Sequence, residues 1–220
     1  MKTRCTVTAF LAVAAVYLAV WPHEIGHATA AWFYGCKADA WRTGTHWYLA
    51  GSQGGAINEE CLARHGGGAA GFVAFAGIAV NLLLISLAPL AGRWWLPART
   101  AGRLRWGFIA TLLVALANSA EAFSYLVLNT LWLKADMRVV VSASGISRWI
   151  WTASGLILGA VIARALARPI RRASTALAGP GISERLWLWA FVGYALAVGV
   201  AAMLSRGFLT WSILPARFTS

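Results

Sequence analysis

Charge is scarce in this sequence. Only 12% of its 220 residues are Asp, Glu, Lys or Arg, about half of the ~25% usual in soluble domains. Hydrophobic residues make up 60% and the mean hydropathy is +0.66, so an ordinary soluble globule is excluded. Acids are scarcer still, with seven against nineteen Lys and Arg. Cysteine is almost absent. Cys5, Cys36 and Cys61 form no CxxC pair and no even framework, which argues against a disulfide scaffold. There is no internal repeat, no low-complexity tract and no stretch polar enough for a soluble domain. Gly66-Gly67-Gly68 is not followed by Lys-Ser/Thr, so it is no phosphate loop.

What is present is apolar sequence in blocks. A helix crossing ~30 Å of hydrocarbon needs ~20 apolar residues. Five stretches meet that length, at about 6–34, 69–91, 106–133, 148–167 and 185–205. The expectation is an all-α polytopic membrane protein, one membrane domain over 1–220. The opening MKTR and apolar run resemble a secretory signal, but the run continues to Tyr34 without a convincing small-residue cleavage site, so it reads as a retained span. Tryptophans such as Trp32, Trp41, Trp132, Trp149 and Trp187 fall near the span ends, as an aromatic belt requires. The net charge of +12 comes from Arg residues between the blocks, which topology and lipid headgroups explain; no nucleic-acid partner is expected. Eleven of the nineteen basic residues lie on the face that holds the N-terminus, and this bias favours a cytoplasmic N-terminus.

One motif carries chemistry: His23-Glu24-Ile25-Gly26-His27, inside the first span. Residues i and i+4 share one helix face, so both imidazoles can reach one Zn²⁺ at ~2.0–2.1 Å. Glu24 projects beside them, where it can take a proton from a water that the ion polarises. Ionisable groups inside a membrane are costly and mark function. The bland alternative ends the span at Val20 and makes the motif an interfacial helix start with Pro22 in its first turn.

A catalytic zinc wants a third protein ligand. His46 and His65 lie in the 36–68 loop, Asp39, Glu59 and Glu60 are loop acids, and Glu184 sits at a span edge. Two candidates remain. Glu121 lies near the middle of the third span, at about the depth of the histidines. Asp136 lies just past that span, between Lys134 and Arg138.

The run HEIGHATAAWFYGCKADAW, closing a first apolar span, resembles the site-2 protease family of intramembrane zinc metalloproteases. Ala76-Gly77-Ile78-Ala79-Val80-Asn81 resembles that family's AGPxxN segment, with Ile78 in place of proline. The stretch from Asn129 to Asp136 is similar to its NxxPxxxLDG segment, but lacks the proline, is one residue shorter and has Met137 where glycine is expected. The likeness covers about residues 7–140. It implies zinc held by His23, His27 and Asp136, with Glu24 as general base and Glu121 in a supporting or proton-relay role. Depth alone would instead make Glu121 the ligand, and the choice stays open here.

The 36–68 loop is the longest. Trp41–Leu49 alternates loosely and contains strand-favouring residues, so it reads either as a short β-hairpin that could pair with an extended substrate or as an amphipathic loop on the headgroups. Asn81 and Asn129 are polar groups in or near apolar spans. They suit interhelical hydrogen bonding, or, for Asn81, a catalytic place near the scissile carbonyl. The expected function is a zinc-dependent intramembrane endopeptidase in a bacterial inner membrane. Its expected partners are a single-span membrane-protein substrate, the lipid bilayer and a regulatory membrane protein. The rivals are a catalytically inactive scaffold that keeps a structural metal and a transporter, which the uncharged interiors of spans four and five do not support.

Overall fold

The computed structural model describes residues 2–41, 43, 57–95, 106–179 and 181–209. It is helical throughout, and no strand occurs among the described residues. The elements run α1 (Lys2–Phe33), α2 (Glu59–Arg64), α3 (Gly67–Trp95), α4 (Trp106–Phe123), a π-helical turn (Ser124–Asn129), α5 (Ala135–Ser144), α6 (Arg148–Leu177) and α7 (Glu184–Leu209). Five of these segments are long and apolar enough to cross a membrane: Lys2–Phe33, Gly67–Ala88, Trp106–Asn129, Arg148–Leu177 and Glu184–Ala202. Large apolar side chains such as Phe10, Leu18, Leu83, Ile157 and Leu196 point outward, as lipid contact requires.

The five long helices alternate in direction, which gives the molecule two ends. At one end the Arg4 guanidinium donates to the carbonyls of Leu177 and Ala178, at 3.4 and 3.3 Å, and ties the start of α1 to the finish of α6. Beneath it, Ala15, Leu112, Leu113, Trp187 and Phe191 form one apolar cluster. At the other end a disulfide joins Cys36, just past α1, to Cys61 in α2. Cys36 packs there with Ala30, Ala31, Leu62, Ala69 and Val73. A third cluster, of Ala74, Ile78, Tyr125, Leu126, Met137 and Val140, joins α3 to the π-turn and α5.

Local chemistry explains most boundaries. The Asn58 side chain accepts from the Cys61 amide at 2.9 Å and starts α2. Gly145, at φ 65°, ends α5 in the left-handed conformation that glycine adopts without a Cβ penalty. α1 runs unbroken through Pro22, so the motif does not begin a separate interfacial helix. One helical hydrogen bond is lost at Pro22.

Three expectations need correction, and a fourth falls on residues that are mostly not described. The third span does not run straight through residue 133: it widens into the π-turn and then turns at residues 132–134. α6 extends ten residues past 167 and runs through Pro169: three Arg, two Ala and a Leu favour helix there, although the charges end the apolar run and the proline removes one helical hydrogen bond. Cys36 and Cys61 do pair, since the start of α2 lies against the end of α1, where Asn58 N–H donates to the Cys36 carbonyl at 2.9 Å. The hairpin expected at 41–49 falls mostly outside the described residues, and Trp41 lies in a turn.

Candidate metal centre

α1 presents His23 and His27 in consecutive turns on the side packed against α3, with Glu24 in the same turn as His23, and all three are buried. The close approach of α3 depends on two glycines. A Cβ on Gly26 would sit 2.8 Å from the Ala76 carbonyl oxygen. A Cβ on Gly77 would sit 2.5 Å from His27 Nε2 and 2.7 Å from His23 Nε2. Gly77 therefore leaves open the space onto which both imidazoles face.

Each ring is held from behind. His27 Nδ1 lies 2.7 Å from the Val73 carbonyl oxygen, to which it donates, so its Nε2 keeps a free lone pair. His23 stacks on Tyr125 of the π-turn, with centroids 4.8 Å apart and planes 20° from parallel. The Asn81 side-chain nitrogen Nδ2 lies 3.2 Å from His23 Nδ1, and its Oδ1 has no hydrogen-bond partner among the described residues, so exchanging the two amide atoms satisfies both. With that oxygen turned toward the ring, Asn81 accepts from Nδ1–H and again leaves Nε2 free.

The third carboxylate arrives through irregular backbone. The π-turn carries an extra residue per turn, a feature common at functional sites. After it the chain reverses: Leu133 N–H donates to the Thr130 carbonyl at 3.2 Å, and Lys134 N–H to the Asn129 carbonyl at 2.8 Å. Leu133 and Ala135 both take φ 48°, a region that costs a non-glycine residue ~1–3 kcal/mol. Asp136 follows in the first turn of α5. Its Oδ2 lies 3.5 Å from His27 Nε2 and 3.9 Å from His23 Nε2, and the two nitrogens are 3.0 Å apart. Burial works against the Asp136 carboxylate, but where His27 and His23 carry a second proton their charge outweighs it and holds the group below the ordinary carboxylate range.

These three atoms suit a small divalent cation. Two bonds of ~2.0–2.1 Å at a tetrahedral angle separate their atoms by roughly 3.3 Å, and the observed 3.0, 3.5 and 3.9 Å bracket that value. Two imidazoles and a carboxylate are also a donor set that zinc takes, with a fourth position open. The side chain of Asp136 is 30% exposed, so the centre opens on its α5 side.

The other sequence candidates lie elsewhere. Glu121 is buried one helical turn before Tyr125 and does not join the three. Among the described residues the only other His, Cys, Asp or Glu group with ligand atoms within 4.8 Å is Cys36, Cys61 and His65, whose sulfurs are spent in the disulfide. Asp39, Glu59, Glu60 and Glu184 are exposed, and His46 lies outside the described residues. Asn129 is buried at the end of the π-turn. Sequence reasoning missed the supports: Tyr125, the Val73 carbonyl and the space left by Gly77. Only Gly77 left a signal, four residues before Asn81 on the same helix. Comparison of the chain with protein-family models, curated proteins and solved structures finds no match.

Proposed function

We propose that the protein is a zinc-dependent intramembrane endopeptidase, of the site-2 protease kind, that hydrolyses a peptide bond in a transmembrane segment of another membrane protein. The observation that carries this reading is the convergence of His23, His27 and Asp136 beside buried Glu24, with both histidines and Glu24 on a helix long and apolar enough to cross a bilayer. A zinc ion held by the two Nε2 atoms and the Asp136 carboxylate would supply Lewis-acid polarisation of water and of the substrate carbonyl.

The chain's own groups account for the rest. Glu24 takes a proton from the attacking water and returns it to the leaving amine, since it lies in the histidines' helical turn but is not one of the three converging groups. Asn81 and the Val73 carbonyl act as positioning groups that fix the tautomer of each imidazole. Asn81 thus serves the ligand His23 rather than the scissile carbonyl. A helical substrate hides its carbonyls in internal hydrogen bonds, so the segment must unwind before it enters at Asp136. A bacterial inner membrane, a single-span substrate and a regulatory membrane partner belong to this same reading.

An inactive scaffold with a structural metal is favoured by one feature, the departure of the Asn129–Asp136 stretch from the protease pattern. Against it stands Glu24, a buried carboxylate that a purely structural ion does not require. Glu24→Gln separates the two. The peptidase reading expects zinc content unchanged and cleavage of a model transmembrane substrate reduced ~10²–10⁴-fold. Cleavage at the wild-type rate by the purified variant would sink the assignment.

A further inference from the structure

We propose that Cys36, Cys61 and His65 form a second metal site, closed by the disulfide in the oxidised protein and open to zinc once that bond is reduced. The two sulfurs and a ring nitrogen of His65 lie within 4.8 Å of one another. Two cysteines and a histidine are a donor set that zinc takes. Cysteines that pair in an oxidising compartment are more often metal ligands in a reducing one. Cys61 lies in α2 and His65 is its C-cap, four residues on, the same spacing that joins His23 to His27. Cys36 comes from the other side, just past α1. The Cα atoms of the two cysteines are 5.4 Å apart. From there, rotation about the Cα–Cβ bonds brings the sulfurs to ~3.8 Å, the separation that two Zn–S bonds of ~2.3 Å set at a tetrahedral angle.

The frame around these side chains does not depend on the S–S bond. Asn58 N–H donates to the Cys36 carbonyl at 2.9 Å, and the Asn58 side chain accepts from the Cys61 amide at 2.9 Å. Leu62 packs with Cys36, Ala31 and Val73 in one apolar cluster. The Tyr34 ring centroid lies 5.4 Å from that of His65. Reduction therefore frees two thiols that stay side by side, and little ordering is left to oppose the ion. α2 is within reach of solution, since Glu59, Glu60, Arg64 and His65 are exposed and hydrocarbon would not accept those charges. A dithiol reductant passes two electrons to the disulfide: the S–S bond breaks, two S–H bonds form, and the reductant closes its own disulfide. Zinc then displaces one proton from each thiol, so its affinity rises with pH. Either link fastens α2 to the end of α1, the disulfide in oxidising surroundings and the ion in reducing ones. The site stands apart from the peptidase reading and does not depend on it.

Metal content of the purified full chain in its two redox states tests the site. A Cys5→Ser background removes the free thiol. Metal-stripped protein is kept oxidised, or reduced with a dithiol that is then removed without air, and each form is titrated with zinc and with cobalt(II). The reduced form should take one more ion per chain than the oxidised form. That extra cobalt should show thiolate-to-metal charge-transfer absorption, which oxygen and nitrogen ligands do not give. His65→Ala removes a ligand and keeps both thiols. It should weaken the extra site by more than the ~10–100-fold typical of losing a partner behind a ligand. Equal metal content in the two states, an extra ion without thiolate absorption, or an affinity that His65→Ala leaves unchanged would overturn the proposal. One ion in the reduced form and none in the oxidised form would support this site and contradict the zinc centre of the peptidase reading.

Discussion

Two stretches of the chain meet at the candidate metal centre and are built in opposite ways. α1 is one continuous helix, and it brings His23 and His27 together only because residues four apart share a face. The stretch from Ser124 to Asp136 instead widens, turns and restarts, with two non-glycine residues at positive φ, to bring one carboxylate to the same place. The regular half needs no strain, while the irregular half stores some and is held by tertiary contacts, Tyr125 on His23 and Met137 in the α3–α5 cluster. The difference teaches where each half is vulnerable. The α1 pair fails when a neighbour intrudes, and the α5 ligand fails when its turn or its carboxylate changes.

The sharpest way to break the regular half is Gly77→Ala. The added methyl would lie within 2.5–2.8 Å of both imidazoles, so the rings must move. We expect zinc content to fall to background in a protein that still purifies as a folded helical species; elemental analysis with circular dichroism checks it. Retained stoichiometric zinc would mean that the ligand nitrogens are not where Gly77 faces.

Asn81→Ala tests the support behind that half and should do less. Loss of a partner behind a metal-bound histidine weakens metal affinity ~10–100-fold. Competition with a zinc chelator measures it, and an unchanged affinity would show that Tyr125 stacking alone orients His23.

The smallest effect is expected in the irregular half. Ala135→Gly removes a Cβ from a backbone at φ 48°. The relief of left-handed strain, ~1–2 kcal/mol, exceeds the ~0.4–1 kcal/mol that glycine adds to the entropy of the unfolded chain. A small rise in resistance to SDS unfolding should follow, with zinc content unchanged. A loss of stability would mean that the turn is not strained at this position.

The same contrast decides what was legible beforehand. A regular helix translates spacing into geometry, so HEIGH and the apolar blocks were enough to anticipate α1 and five helices long and apolar enough to cross a membrane. Asp136 was ambiguous against Glu121 because depth was counted along a straight third helix. The π-turn and the reversal at 132–134 break that count, and no residue there is a glycine or proline that would announce a turn. The disulfide was missed for a related reason. Cys36 and Cys61 stand 25 residues apart, and only the return of the chain through α2 brings them together. Boundaries drawn by hydropathy also stopped α6 where its arginines begin, although the helix itself continues through them and through Pro169.

The account rests most heavily on the irregular half supplying the third ligand, so the most direct test is zinc stoichiometry in Asp136→Asn beside Glu121→Gln, each purified like the wild type. Geometry predicts near-stoichiometric zinc in the wild type and in Glu121→Gln, and a large loss in Asp136→Asn, whose neutral amide is a poor zinc ligand. Full zinc in Asp136→Asn with loss in Glu121→Gln, or equal content in both variants, would contradict it.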